Sequence, residues 1–296
     1  MIAELTDGDA FLNSYLANKK YAYITSVTHE YADIAYNWFL SLKNIQSEHL
    51  AVVIALDKKC YEQMQKYNVP CVYINADISS NESYNEWLET EKRTKVIGPL
   101  YIAKKYNIDP IHSEVDIIFL RDPITKLKSE IESGYDLTAI SDKRFDQFTP
   151  SRRQGIVSHV DRASGKVLLL GESYQKKHGE ANFGFCYNSF STSPKLFDFW
   201  ESVLPDSDFL KKFNYEGIEG SMQTVLIHKI KENSNVKIKV LSAFEFANGS
   251  IWDNPYLKEK VKEEGYLIHY NFSPDEMSER KEAKILLMRK NNHWYV

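Results

Sequence analysis

Cysteine is scarce in this chain of 296 residues: Cys60, Cys71 and Cys186 are the only three, and none stands in CxxC spacing. An odd, sparse set argues against a disulfide framework and against a zinc site, and for free thiols in a reducing compartment. Positive charge is not in excess either, with 37 basic against 41 acidic residues. No overall field draws the chain to nucleic acid or to an anionic membrane. No apolar run reaches transmembrane length, and the polar N-terminus MIAELTDGDAFLNSYLANKK has no signal-peptide core. The expectation is a soluble cytoplasmic protein, in which the N-x-[ST] matches at Asn81, Asn248 and Asn271 are accidental. No Ser-His-Asp order, HExxH, P-loop or GxGxxG fingerprint occurs, which removes the common hydrolase and NTPase readings.

What is present is a succession of unbroken apolar runs separated by amphipathic stretches. YAYITSV (21–27), LAVVIALD (50–57) and VPCVYIN (69–75) read as buried strands, with helices over 29–44 and 58–67 between them. Such alternation predicts a mostly parallel sheet with helices on both faces. An N-terminal helix over 8–18 is expected to bury Phe11, Leu12, Tyr15 and Leu16, and a further helix spans roughly 85–105. Strands follow near 108–113, at YDLTAIS (135–141), ANFGFCYNS (181–189), VKIKVLS (236–242) and YLIHYNF (266–272). The irregular, polar stretch 143–180 reads as a long functional loop with a hairpin near VLLL. Gly184 inside a strand points to a bulge or a close backbone approach. Asp122-Pro123 reads as a helix start, with Asp122 capping. One domain is expected over 1–296, with a nucleotide-binding half at about 20–123 and a sugar and acceptor half at about 124–296.

The segment IHSEVDIIFLRDP (111–123) poses the chemical problem, because two carboxylates, Glu114 and Asp116, interrupt an apolar run. On extended chain a spacing of two places them on one side. Like charges that close raise each other's pKa unless a cation lies beside them. A divalent cation shared with phosphates would serve, and so would water at a strand end or a Lys or Arg partner.

Their surroundings carry a resemblance. SEVDIIFLRDP is similar to the D-x-D-hydrophobic-x-Leu-x-Asp-Pro motif of GT-A glycosyltransferases, in particular the nucleotide-diphospho-sugar transferase family that includes plant rhamnogalacturonan xylosyltransferases. ITSVTHEYADIAYNWFLSLK, with Asn37 and Trp38, resembles that family's first strand and helix, and AVVIALD its second strand ending in Asp57. KRTKVIGPLYIAKKYN, ANFGFCYNS, and HYNF followed by Lys284, Met288 and Trp294 match later pieces in order. The likeness runs over about residues 20–296. It implies a GT-A-like, Rossmann-type fold and a glycosyltransferase taking a sugar from a nucleotide diphosphate, UDP first, to a glycan acceptor with retention. Mn²⁺ or Mg²⁺ would be held by Asp116, His269 and Glu114, imidazole suiting Mn²⁺ better.

Around that centre, Thr25 and Ser26 end the first strand where base or ribose would lie. Tyr31 is placed to stack on uracil or to pack in the core. Asp57 could accept from the nucleoside or cap a helix, Lys95 with Arg93 would offset diphosphate charge, and Asn271 would orient a phosphate. Asn182, Gly184, Gln223 and Asp142 are the candidates on the sugar side. Two departures from the family pattern stand out: Glu114 occupies the usual first Asp, and the helix that often begins Asp-Gln reads Met222-Gln223. The second leaves Glu219 or Glu216 as the sugar-contacting carboxylate. The rivals are a catalytically silent nucleotide- or glycan-binding protein and a sugar nucleotidyltransferase, although ITSVTHEY lacks the latter's Gly-rich basic loop.

Overall fold

The computed structural model describes residues 5–7, 9–74, 98–141, 144–146, 156–160, 167–169, 181–203, 235–252, 257–271 and 281–296. The chain enters through β1 (Leu5–Asp7) and α1 (Asp9–Leu16), then β2 (Tyr21–Val27), α2 (Ala32–Asn44), β3 (Ala51–Ala55), α3 (Lys58–Lys66) and β4 (Cys71–Ile74). After α4 (Gly98–Tyr106) come β5 (Asp109–Ser113), β6 (Ile117–Phe119), α5 (Ile124–Glu132) and β7 (Leu137–Ser141). β8 (Arg144–Asp146), β9 (Ile156–Val160) and β10 (Val167–Leu169) precede β11 (Ala181–Asn188) and α6 (Lys195–Val203). The chain closes with β12 (Ile238–Val240), β13 (Phe246–Asn248), α7 (Gly249–Trp252), α8 (Lys258–Glu264), β14 (Leu267–His269) and α9 (Lys281–Lys290).

The apolar runs became strands buried on both faces, and their alternation decides which residue meets which helix. Tyr23, Val53, Ala55 and Cys71 pack with Trp38 and Leu42 of α2 and Met64 of α3. Their neighbours Ile24, Val52, Ile54 and Val72 point the other way, against Leu12 and Leu16 of α1 and Ile102 of α4. Each fully buried Leu or Ile there contributes roughly 1.5–3 kcal/mol. Of the apolar set expected on α1, Leu12 and Leu16 join this layer and Tyr15 packs against it, but Phe11 does not. Phe11 is 51% exposed and merely stacks on Tyr15, because α1 turns just its Leu12–Leu16 edge to the sheet.

The central sheet has eight strands in the order β1-β4-β3-β2-β5-β11-β7-β12. β4, β3, β2 and β5 run parallel, as does the β7–β12 pair. β11 is antiparallel to both its neighbours, and β1 is an antiparallel edge that the sequence pattern did not reveal. The expected 236–242 strand shrinks to Ile238–Val240, paired in parallel with β7. The hairpin expected near VLLL is present as β9 and β10, paired antiparallel, with β8 parallel to β9.

Two features position a site. First, β2 has β3 on one side and β5 on the other, so the strand order reverses at β2/β5 and opens a crevice beyond their carboxyl ends. Second, the chain leaving β5 turns directly into β6, which joins β14 and β13 in a separate three-stranded sheet. That sheet rests on α2, where Ile34 packs with Ile118 and Ile268, and Ser41 Oγ accepts from the Phe119 N–H at 3.2 Å. The helix start expected at Asp122-Pro123 falls one residue later: Pro123 is the N-cap, and Asp122, just before it, accepts from Ile124 N–H at 2.9 Å. It also accepts from Tyr23 Oη at 2.8 Å and Ser47 Oγ at 2.9 Å, which makes it a structural carboxylate.

Candidate active site

Glu114 and Asp116 do not lie on continuous strand. The ladder of β5 ends at Ser113 and the chain makes a turn, closed by Ile117 N–H donating to the Glu114 carbonyl at 3.2 Å. The same-side argument from an extended spacing of two is therefore replaced by a turn that brings both carboxylates inward. Three anchors hold it. Ser113 Oγ accepts from Trp38 Nε1 at 2.9 Å, Glu114 N–H donates to the Gly184 carbonyl at 2.7 Å, and Tyr270 N–H donates to the Asp116 carbonyl at 3.0 Å.

β14 delivers His269 opposite Ile117, so a residue 155 positions away reaches the turn. His269 Nε2 lies 2.8 Å from Glu114 Oε2 and 3.3 Å from Asp116 Oδ1. Lys284, on α9, places Nζ 2.6 Å from Asp116 Oδ2. Burial alone would push the Asp116 carboxyl up, but Lys284 and His269 reverse that and hold it well below the ordinary carboxylate range. Burial likewise opposes the charged imidazole, yet Asp116 and then Glu114 raise His269 to about 9. Lys284 follows the same pattern: burial lowers it, and Asp116 more than offsets this. Lys284 is the functional residue that sequence reasoning noticed only as part of a pattern. A lysine on an amphipathic C-terminal helix gives no local signal of its partner.

The candidate metal set is Glu114, Asp116 and His269, whose ligand atoms all lie within 4.8 Å of one another. Two carboxylate oxygens and an imidazole nitrogen suit a hard to borderline divalent cation such as Mn²⁺ or Mg²⁺. The space around them is shaped by Gly184. A Cβ there would stand 2.5 Å from His269 Cε1, 2.7 Å from Glu114 Oε2 and 2.9 Å from Asn182 Oδ1. The glycine expected to allow a bulge or a close approach does both, since the β11–β7 register shifts between Asn182 and Cys186. Asn182, 6% exposed, turns its Oδ1 to the Gly184 N–H at 2.8 Å. The residues present fit a divalent cation.

The other candidates divide by position. Thr25 is fully buried near the end of β2, and its Oγ1 has no hydrogen-bond partner among the described residues. Ser26 follows it, partly exposed. Tyr31 is half-buried between the two cores, close enough to Lys284 to act on its charge. Asp57 caps α3: Oδ1 accepts from Cys60 N–H at 2.8 Å and Oδ2 from His29 N–H at 2.6 Å. A nucleoside contact by Asp57 would have to share those oxygens. Asn271, two residues after His269, is half-buried with Oδ1 unpartnered among the described residues. Arg93, Lys95, Asp142, Glu216, Glu219, Met222 and Gln223 lie outside the described residues. The Asn37–Trp38 pair is now explained. Trp38 braces the acidic turn, while Asn37 donates to the His293 carbonyl at 3.0 Å and accepts from Tyr295 N–H at 2.6 Å.

A doubly wound sheet with an acidic and imidazole cluster just beyond its switch-point strand defines an α/β protein built to bind a ligand at that crevice. Residues 48–285 match the family described as nucleotide-diphospho-sugar transferase, well over half of the chain. The chain belongs to that family of glycosyltransferases. No curated protein sequence matches it. Among solved structures, it is similar to mouse xyloside xylosyltransferase 1 in its apo form, at 11% identity and TM-score 0.48, covering 85% of this chain and 97% of that one. It is also similar to the galactosyltransferase LgtC in complex with donor and acceptor sugar analogs, at 11% identity and TM-score 0.48, covering 91% and 95%. A third is a glycosyltransferase involved in glycosylation of the major capsid of PBCV-1, at 9% identity and TM-score 0.47, covering 90% and 98%.

Proposed function

We propose that this protein transfers a glycosyl group from a UDP-linked donor to a glycan acceptor, with a divalent cation, Mn²⁺ in first place and Mg²⁺ in second, held by Asp116, His269 and Glu114. The observation that carries this reading is the convergence of those three side chains at the carboxyl end of β5, with ligand atoms within 4.8 Å. Bound there, the cation would neutralise charge developing on the departing diphosphate. The chain's own residues supply the rest. Asp116 orients one oxygen toward the cluster while Lys284 holds the other at 2.6 Å. Lys284 adds a fixed positive charge in a site that excludes water, where such charge acts most strongly on a transition state. Gly184 keeps the floor of the cluster open, and Asn182 is placed beside it for a sugar hydroxyl.

Thr25 and Ser26, near the end of β2, and Tyr31, shortly after it, are assigned to the nucleoside, with Asn271 and Lys95 on the diphosphate. Gln223, Asp142 and Glu219 are assigned to the sugar. Retention of configuration, by front-face transfer assisted by the donor's phosphate, needs no strong side-chain base. The two halves act as one domain, and a reducing cytoplasmic setting suits the three buried free thiols.

One observation favours a second reading, a nucleotide-binding protein without turnover. Glu114 replaces the family's usual Asp, and both acids already have protein cations beside them. Calorimetry of UDP with Mn²⁺, with and without chelator, on wild type and Asp116→Asn separates the cases. The expected result is a loss of at least tenfold in affinity, about 1.4 kcal/mol, on chelation and on substitution alike. Equal binding in all arms would remove the metal-dependent donor site. Metal-dependent binding without release of sugar from any UDP-sugar would favour the silent reading.

A further inference from the structure

A second site lies at the opposite end of β6 from the acidic turn. Leu120 and Arg121 follow β6, and from Asp116 to Leu120 extended chain covers about 13 Å. There a cavity of about 370 Å³ opens between the end of β6, α7, α8 and the C-terminal end of α9. That size lies within the range of small-ligand sites. Four cationic side chains line it, Arg121, Lys258, Lys262 and Lys290, together with Trp252 and His293, and among the described residues no carboxylate does.

The charges are poorly compensated. Lys290 is exposed and makes no ion pair or hydrogen bond among the described residues. Among the described residues Lys258 Nζ reaches only the neutral Asn291 Oδ1, at 2.8 Å, and lies over the Trp252 ring at 4.5 Å from its centroid. Arg121 donates to the Lys262 carbonyl at 2.7 Å, a backbone partner, and pairs with no carboxylate among the described residues. Lys262 meets a carboxylate, Glu259 at 2.7 Å, but that residue is 77% exposed and outside the cavity lining. Trp252 is 3% exposed, and its Nε1 is a buried donor with no partner among the described residues. The positive field is felt locally: burial and Lys258 hold His293 down at about 4. A concave wall of donors and cations with no carboxylate among its described lining residues is the chemistry of an oxyanion site.

We propose that this cavity binds a phosphate group carried by a small ligand or a lipid head, at a site separate from the nucleotide-sugar crevice. Tyr270 spans the two: its N–H holds Asp116 and its hydroxyl lies 2.8 Å from His293 Nδ1 at the cavity wall. The proposal stands on this cavity alone and does not depend on the donor or metal reading.

The test is calorimetric titration with a hexose 6-phosphate and, separately, sedimentation with phosphatidic acid vesicles in phosphatidylcholine. The unphosphorylated hexose and pure phosphatidylcholine vesicles serve as controls. Wild type is compared with the double charge reversal Lys262→Glu/Lys290→Glu, both exposed positions, and with Lys258→Met, each first checked for an unchanged melting temperature. Binding of either phosphate probe, weakened at least tenfold in both variants and within twofold of wild type in Asp116→Asn with chelator, supports the site. A hexose phosphate that binds in solution identifies a soluble ligand, and binding to vesicles alone identifies a lipid head. No phosphate-specific binding to either probe overturns the proposal. So does binding that follows Asp116 and ignores the cavity lysines.

Discussion

Gly184 and Lys284 carry the most information per residue. Gly184 sits where any side chain would collide with His269, Glu114 and Asn182 at 2.5–2.9 Å. Overpacking of that kind costs about 1–3 kcal/mol, and here the atoms forced aside are the candidate ligands. Gly184→Ala should therefore fold, with a melting temperature lowered by a few degrees, and lose Mn²⁺-dependent UDP binding at least tenfold by calorimetry. Retained binding would mean the cluster is not the donor site. Lys284 is the fixed countercharge of a carboxylate that is 4% exposed. Removing one partner of a buried pair typically costs about 3–5 kcal/mol. Lys284→Met should lose stability on that scale in chelator and recover part of it when Mn²⁺ is added, with a larger thermal upshift than wild type shows. An equal upshift in both proteins would argue against a cation on Asp116.

At the level of elements, the small β13–β14–β6 sheet and the C-terminal segment are what bring the distant residues to the β5 turn. α2 governs this through its paired Asn37 and Trp38, one tying the C-terminal segment and the other the turn. Asn37 is fully buried, so truncating it strands a carbonyl and an N–H of residues 293–295. Asn37→Ala should cost about 1–3 kcal/mol in urea denaturation and speed hydrogen exchange at Tyr295 before it does so in β2 or β3. Uniform loss of protection would show that the C-terminal segment has no separate tether. The strands were readable as unbroken apolar runs because a sheet covered on both faces leaves no room for polar residues. β1 was not, since an edge strand of three residues carries no pattern, and Phe11 misled because helical periodicity marks an apolar face without saying how much of it is covered.

For the whole molecule, among the described residues no helix is long and apolar enough to cross a membrane. The net charge of −4 hides an uneven distribution, with a basic cavity at one end of β6 and an acidic cluster at the other. His293 links this arrangement to global stability. Burial and Lys258 depress it from its ordinary 6.5 to about 4 in the folded chain. Between those values the unfolded chain binds the proton and the folded chain does not, so stability is lost as pH falls from about 6.5 toward 4. Urea midpoints at pH 7.5 and 5 should fall further for wild type than for His293→Gln, which cannot titrate. Parallel falls would assign the acid sensitivity elsewhere.

The order of apolar runs and helices, the acidic pair in SEVDIIFLRDP and the histidine of YLIHYNF were determined by sequence alone, because burial pattern and chemical type are local properties of the chain. The answer to what compensates the acids was decided only by tertiary structure. Folding sets His269 and Lys284 beside them from 155 and 168 residues away, turns Glu114 and Asp116 inward on a turn instead of along a strand, and leaves no room for a side chain at position 184 unless the candidate ligands shift. The basic cavity has the same origin. Its cations come from the segment after β6, from α8 and from α9, and no single stretch of the chain holds enough of them to announce it, because an electrostatic field sums over space and takes no account of sequence order.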